Sequence, residues 1–279
     1  MSGVGEFSGT SLVGSYRPVR VLDGAGRVHE ARHDRVPGRF VIKLFANVDA
    51  RAFQRGAQQA AALRHPGIVR VVDYGMAAGR AFVVMEWAEG RSLFALLGER
   101  GPLEPDTVAR IVDGVAHGLQ AAHRQGVAHG HLSPARVFVS VGGAASEDET
   151  PAAERTKILG FGLGPAGALA AGVNVTAVTP YTPPEQLDGE PSPRADQYAL
   201  AAVAYELLTG EPPAADALLG RPPRSIREYD PTLNVVIDDV VQRGLSFDPG
   251  PRWPDVHTFA ARLREAVYSE AALEERTRS

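Results

Sequence analysis

Cysteine is absent from the 279 residues, which removes disulfides, thiolate metal sites and a cysteine nucleophile together. That composition suits a reducing interior. Aromatics are scarce at 7% and do not alternate with basic residues, which excludes a stacking platform for single-stranded nucleic acid. Neither sign of charge dominates: 29 Lys and Arg stand against 33 Asp and Glu, a net −4 with no basic footprint. No run approaches the roughly 18 consecutive apolar residues that span a bilayer. The opening MSGVGEFSGTSLVGS lacks the basic flank and apolar stretch of a secretory signal and reads as a flexible leader over 1–15. A cytoplasmic protein is expected, with neither nucleic acid nor membrane as partner.

What is present suffices for a core, with 44% hydrophobic and 22% charged residues. PVRVL (18–22), RFVIKLF (39–45), IVRVVDYG (68–75) and RAFVVMEW (80–87) are β-branched and aromatic runs bounded by turn residues, hence strands. A helix over about 49–63 lies between them and is stopped by Arg64-His65-Pro66-Gly67. Beyond Gly90 the pattern becomes helical. Val108, Ile111, Val112, Val115, Leu119 and Ala122 recur at three- and four-residue spacing on one face. Short strands at 136–141 and 156–161 flank an acidic loop, and helices are expected at 195–209, 233–245 and 255–272. The fold class is α+β: a small β-rich lobe over about 16–89, a larger helical lobe over about 90–268, and a mixed-charge tail, 269–279.

Several short words fall in fixed order along this frame. They are V-I-K ending at Lys43, M-E-W-A from Met85 through Glu86 to Ala88, and His123, Gly126 and His129 as H-x-x-G-x-x-H. H-G-H-L-S-P follows at 129–134, G-F-G at 160–162, P-P-E at 183–185, Asp196 in ADQYALA and Arg252 in DPGPRW. Together, over residues 16–268, they resemble a bacterial eukaryotic-like (Hanks-type) Ser/Thr protein kinase. The resemblance implies a bilobal protein-kinase-like fold. It assigns Lys43 to the nucleotide phosphates and Met85, Glu86 and Ala88 to the hinge beside an adenine. His129 and Phe161 become members of a hydrophobic spine, Glu185 and Arg252 a buried ion pair, and Asp196 the brace of the catalytic loop.

The same resemblance marks what has changed. Where the family reads H-R-D-L-K-P and D-F-G, His131 stands for the base, Ser133 for the phosphate-contacting lysine and Gly160 for the metal-binding aspartate. Arg136 stands for the asparagine that holds the second metal. No Mg-binding ligand remains, because magnesium takes oxygen donors, and no cofactor is expected, ATP being the doubtful ligand. Gly56 replaces the glutamate that would order Lys43, at a helix-propensity cost of about 1 kcal/mol. Gly24 and Gly26 belong to a shortened phosphate loop, and Val178 replaces a threonine that touches the catalytic aspartate.

The expected function is therefore a pseudokinase, not an enzyme, acting as a protein-binding scaffold or allosteric regulator in a kinase pathway. The alternatives are a metal-independent nucleotide sensor or a weakly active atypical Ser/Thr kinase. Partners would be an active kinase, its substrate, or a phosphothreonine reader recognising Thr176, Thr179 or Thr182; Thr150 in the acidic loop is a fourth such site. His129-Gly130-His131 is too thin for a metal, and Asp238-Asp239 reads as a solvated helix face.

Overall fold

The structure is a computed structural model describing residues 13–46, 48–140, 156–162, 179–187, 191–213 and 221–269. Residues 1–12 of the expected leader (1–15), Thr150, Thr176, Val178 and residues 270–279 of the expected tail (269–279) lie outside the described residues. Two compact units form. One comprises the described parts of Met1–Arg64, Val69–Ala88 and Gly162–Val175; the other those of His65–Ile68, Glu89–Phe161 and Thr176–Ser279.

The smaller unit is an antiparallel five-stranded sheet with one helix. Its elements are β1 (Tyr16–Val21), β2 (Val28–His33), β3 (Phe40–Phe45), α1 (Ala50–Ala62), β4 (Val71–Ala77) and β5 (Arg80–Glu86). The strand order is β1-β2-β3-β5-β4. Because side chains alternate along a strand, Phe40, Ile42 and Leu44 face one way and pack with Tyr16, Ala31, Phe82 and Val84. Val41 and Lys43 face the other way. Slipping the register by one residue would put Lys43 in that core, so the pattern fixes the pairing of Lys43 with Val28 and Val83. Asp49 starts α1 by accepting from the Ala52 amide at 2.7 Å.

Strand β2 was not among the expected strands, because V-H-E-A-R-H shows no apolar alternation. Its central Glu30 is nonetheless buried, held by Arg20 of β1 at 2.7 Å and by Arg39, just before β3, at 3.0 Å. Those bonds, the Arg39 one foremost, hold its carboxyl below the usual range. Cross-strand charge pairing does here what hydrophobic alternation does elsewhere.

The larger unit holds a small sheet, ordered β6-β7-β8, of β6 (Arg91–Ser92), β7 (Val137–Val139) and β8 (Thr156–Ile158). Its helices are α2 (Leu93–Arg100), α3 (Pro105–His123), α4 (Pro193–Thr209), α5 (Val235–Gly244) and α6 (Val256–Tyr268). Helix α4 is buried on every side from Ala195 to Thr209, its polar Asp196, Gln197, Glu206 and Thr209 included, and α3, α5 and α6 pack on it. Ser192 caps its start, accepting from the Ala195 amide at 3.1 Å, and Gly210 at φ +79° ends it. Asp238, expected on a solvated face, instead accepts from Ser225 Oγ at 2.5 Å and the Ile226 amide at 3.1 Å, tying the preceding turn to α5. No helix among the described residues is long and apolar enough to cross a membrane.

Candidate active site

Asp196 sits in the first turn of α4, 1% exposed. Its Oδ2 accepts from the His129 amide and from His123 Nε2, both at 2.7 Å, and its Oδ1 accepts from the Gly130 amide at 2.8 Å. One buried carboxylate thus fixes the backbone at the head of the H-G-H-L-S-P loop. From the other side, Gln186 Nε2 donates to the Gly130 carbonyl at 2.6 Å. Gly130 adopts φ +76°, and a Cβ there would lie 2.8 Å from the Pro191 ring. The left-handed backbone and the Pro191 ring both favour glycine at this position.

His129 is buried. Its Nδ1 accepts from the His131 amide at 3.2 Å, so Nε2 carries the proton and donates to the Leu159 carbonyl at 3.2 Å. Burial lowers its pKa to about 4, and the ring stays neutral. It meets Phe161 edge-on at 4.8 Å between ring centres. His129 and Phe161 are therefore packing partners, with no role for His129 as a metal ligand.

Four positions carry the altered chemistry. His131 follows Gly130, its backbone bonded to His129. Ser133 precedes the short turn Pro134–Arg136, and its carbonyl accepts from the Arg136 amide at 2.9 Å. Arg136 is half-buried, and burial pushes its guanidinium below its ordinary pKa, though arginine stays charged. Gly160 adopts φ +101°, and a Cβ built on it would lie 2.7 Å from Arg136 Nη1. A guanidinium thus takes the space into which an aspartate at 160 would project. A guanidinium and a hydrogen atom do not fit a divalent cation. Among the described residues no group of three His, Cys, Asp or Glu could hold a metal either.

In the smaller unit Lys43 is half-buried on β3 with Nζ 5.2 Å from the Phe45 ring centre; it is not a free cation. Met85 is buried at the end of β5, and Glu86 and Ala88 are half-buried. Backbone bonds from Glu86 N to Arg70 O (3.0 Å) and from Trp87 N to Arg39 O (3.2 Å) hold this strip, with the Arg39 guanidinium 3.6 Å above Trp87. Gly56 has a packing reason that the propensity argument overlooked. A Cβ there would sit 2.0 Å from the Gly162 carbonyl oxygen, and one on Gly162 would sit 2.5 Å from Gly56 O. The two backbones touch because both side chains are absent. The loop between β1 and β2 is a tight turn, with Leu22 N bonded to Val28 O at 2.8 Å.

Thr179 and Thr182 share a hydroxyl–hydroxyl bond of 2.9 Å. Between them Tyr181 donates to Glu206 Oε2 at 2.5 Å, a tie no sequence signal indicated. Burial and that carboxylate push the Tyr181 hydroxyl pKa up. Four residues beyond Tyr181, Glu185 meets Arg252 in a two-pronged pair, Oε1 to Nη1 at 2.7 Å and Oε2 to Nη2 at 2.9 Å.

A family model described as "Protein kinase domain" matches residues 24–225. The chain is similar to the serine/threonine-protein kinase PknF of Mycobacterium tuberculosis, 35% identical over 86% of this chain and 53% of that protein. It is also similar to PknJ of Mycobacterium bovis (32%, covering 95% and 48%) and PknB of Mycobacterium leprae (32%, covering 82% and 39%). The chain spans about half the length of such curated relatives, or less. A solved structure, Rad53 1–466 in complex with AMP-PNP, superposes with a TM-score of 0.71 at 19% identity, covering 89% of this chain and 64% of that one, and attests the fold.

The expectation of a non-enzyme is corrected by these relatives. Identity of 32–35% to named Ser/Thr kinases over most of the chain points to a kinase enzyme. The expectation combined the losses of the base and of the metal ligands into a negligible remaining rate. Phosphoryl transfer is carried mainly by positioning and electrostatic stabilisation, and groups other than the usual ones can supply both.

Proposed function

We propose, from the premise that this chain belongs to the protein kinase domain family, that it is an atypical Ser/Thr protein kinase domain of low turnover. It would take its nucleoside triphosphate without a protein-held divalent cation, Arg136 supplying positive charge to the phosphates. The observation carrying this reading is the Arg136 guanidinium lying 2.7 Å from where a Cβ at Gly160 would stand. Guanidinium offers planar paired donors that match phosphate oxygens. In the transfer, the bond from the γ-phosphorus to the β–γ bridging oxygen breaks and one to the acceptor hydroxyl oxygen forms, the hydroxyl proton passing to water. Without a carboxylate base, the rate falls by ~10²-fold or more from the usual range.

The test is transfer of label from γ-labelled ATP to Ser/Thr peptides, with and without a chelator. Slow labelling that survives chelation and disappears in Lys43→Ala and Arg136→Ala supports the proposal. Absence of label above background in every condition overturns it. Stabilisation by ATP without transfer would move the reading to a nucleotide sensor. A protein-binding regulatory role is favoured by one separate feature: the buried ties of Asp196 and of Glu185 with Arg252 persist where the chemical groups have changed.

A further inference from the structure

The glycine loop already contains an anion. Between β1 and β2 the chain turns through Asp23-Gly24-Ala25-Gly26-Arg27. Asp23 Oδ1 accepts from the Arg27 amide and the Val28 amide, each at 2.8 Å. The Gly26 amide donates to the Asp23 carbonyl at 3.3 Å, and the Gly26 carbonyl meets His29 Nε2 at 3.0 Å. Gly26 has φ +65°, and successive amides beside a left-handed residue make a concavity that binds anions. A Cβ on Gly24 or Gly26 would meet nothing within 4 Å, so the tip of the turn is open. The turn thus has two amide donors that could hold an anion, and the Asp23 carboxylate occupies both.

We infer that Asp23 is a resident anion held in the phosphate-binding amides of this loop, and that it sets how weakly the chain holds a nucleoside triphosphate. The inference rests on the nucleotide reading above. A phosphate entering the loop must displace the carboxylate or lie beside a like charge. Asp23→Asn keeps an oxygen for the amides and removes the charge; Asp23→Ala removes both.

Titration calorimetry of the full chain with ATP in chelator, on the wild-type protein and both variants, tests the inference. Asp23→Asn is expected to bind at least tenfold more tightly than wild type, and Asp23→Ala at least as tightly as Asp23→Asn. Amide hydrogen exchange at Arg27 and Val28 should quicken in Asp23→Ala and slow again when ATP is added. Folded variants that bind ATP no better than wild type overturn the inference, as does unchanged exchange at those two amides. If all three proteins bind equally and lose binding on Arg136→Ala, only this inference fails. If none binds, the nucleotide reading falls with it.

Discussion

Arg252 uses all five of its N–H groups: four atoms of acceptor come from Ser246, Arg194, Phe247 and one oxygen of Glu185, and a fifth from that residue's other oxygen. Its side chain has no exposure, while that of Glu185 keeps 28%. Removing the carboxylate leaves a buried, uncompensated cation. Glu185→Ala is therefore expected to cost ~3–5 kcal/mol, read as a fall in the urea midpoint, and Glu185→Gln, which keeps hydrogen-bond capacity, less. His129 gives a pH signature. Its folded pKa of about 4 lies below the unfolded value of 6.5, so the unfolded chain binds the extra proton first. Stability from this residue is complete above about pH 6.5 and declines as pH falls toward 4, by on the order of 3 kcal/mol. His129→Leu should flatten that part of the stability profile relative to wild type.

Elements show where local rules meet packing. Gly56 and Gly98 both interrupt helices, and helix propensity alone predicts a gain of about 1 kcal/mol from alanine at either. Around Gly98 nothing lies within 4 Å, whereas a Cβ at Gly56 would stand 2.0 Å from Gly162 O. Gly98→Ala is expected to stabilise by up to ~1 kcal/mol, and Gly56→Ala to destabilise by ~1–3 kcal/mol through overpacking. Thermal or urea unfolding of the pair checks the opposite signs. The same contrast explains what could be read in advance. Helices α3 and α4 announce themselves, one by an apolar face and one by the unbroken apolar run from Ala199 to Ala204. Strand β2 was hidden because it is stabilised by Glu30 between two arginines, a pairing visible only once β1 and β3 flank it. Asp23 and Tyr181 were hidden for a related reason, since each makes specific bonds, Asp23 to the Arg27 and Val28 amides and Tyr181 to Glu206, rather than following a period.

At the scale of the whole molecule, the altered positions behave as a set. Asp at 160 alone would meet both a left-handed backbone at φ +101° and Arg136 Nη1. Gly160→Asp is expected to cost ~1–3 kcal/mol from the backbone strain, with the Arg136 guanidinium displaced from the space it now fills. Adding Arg136→Asn should return part of that loss and bring a Mg²⁺-dependent rise in melting temperature with ATP that neither the wild-type protein nor either single variant shows. Equal responses with and without Mg²⁺ in the double variant would break the link between these two sites and the cation. Family membership and the α+β frame were legible because motifs and periods are local in sequence. The reach of a guanidinium into the space beside Gly160 is not, since it depends on how the turn at Pro134–Arg136 lies against the segment after β8.

The contact of Gly56 with Gly162 also orders events in time. Helix α1 leaves the ribosome early, but the backbone it rests against is made only after β6, α2, α3, β7 and β8 have emerged. At ~5–20 residues per second, the nascent sheet must wait several seconds with that flank bare. A fragment ending before Gly162 is expected to keep α1 loosely seated, and trigger factors or proteases would meet it there first.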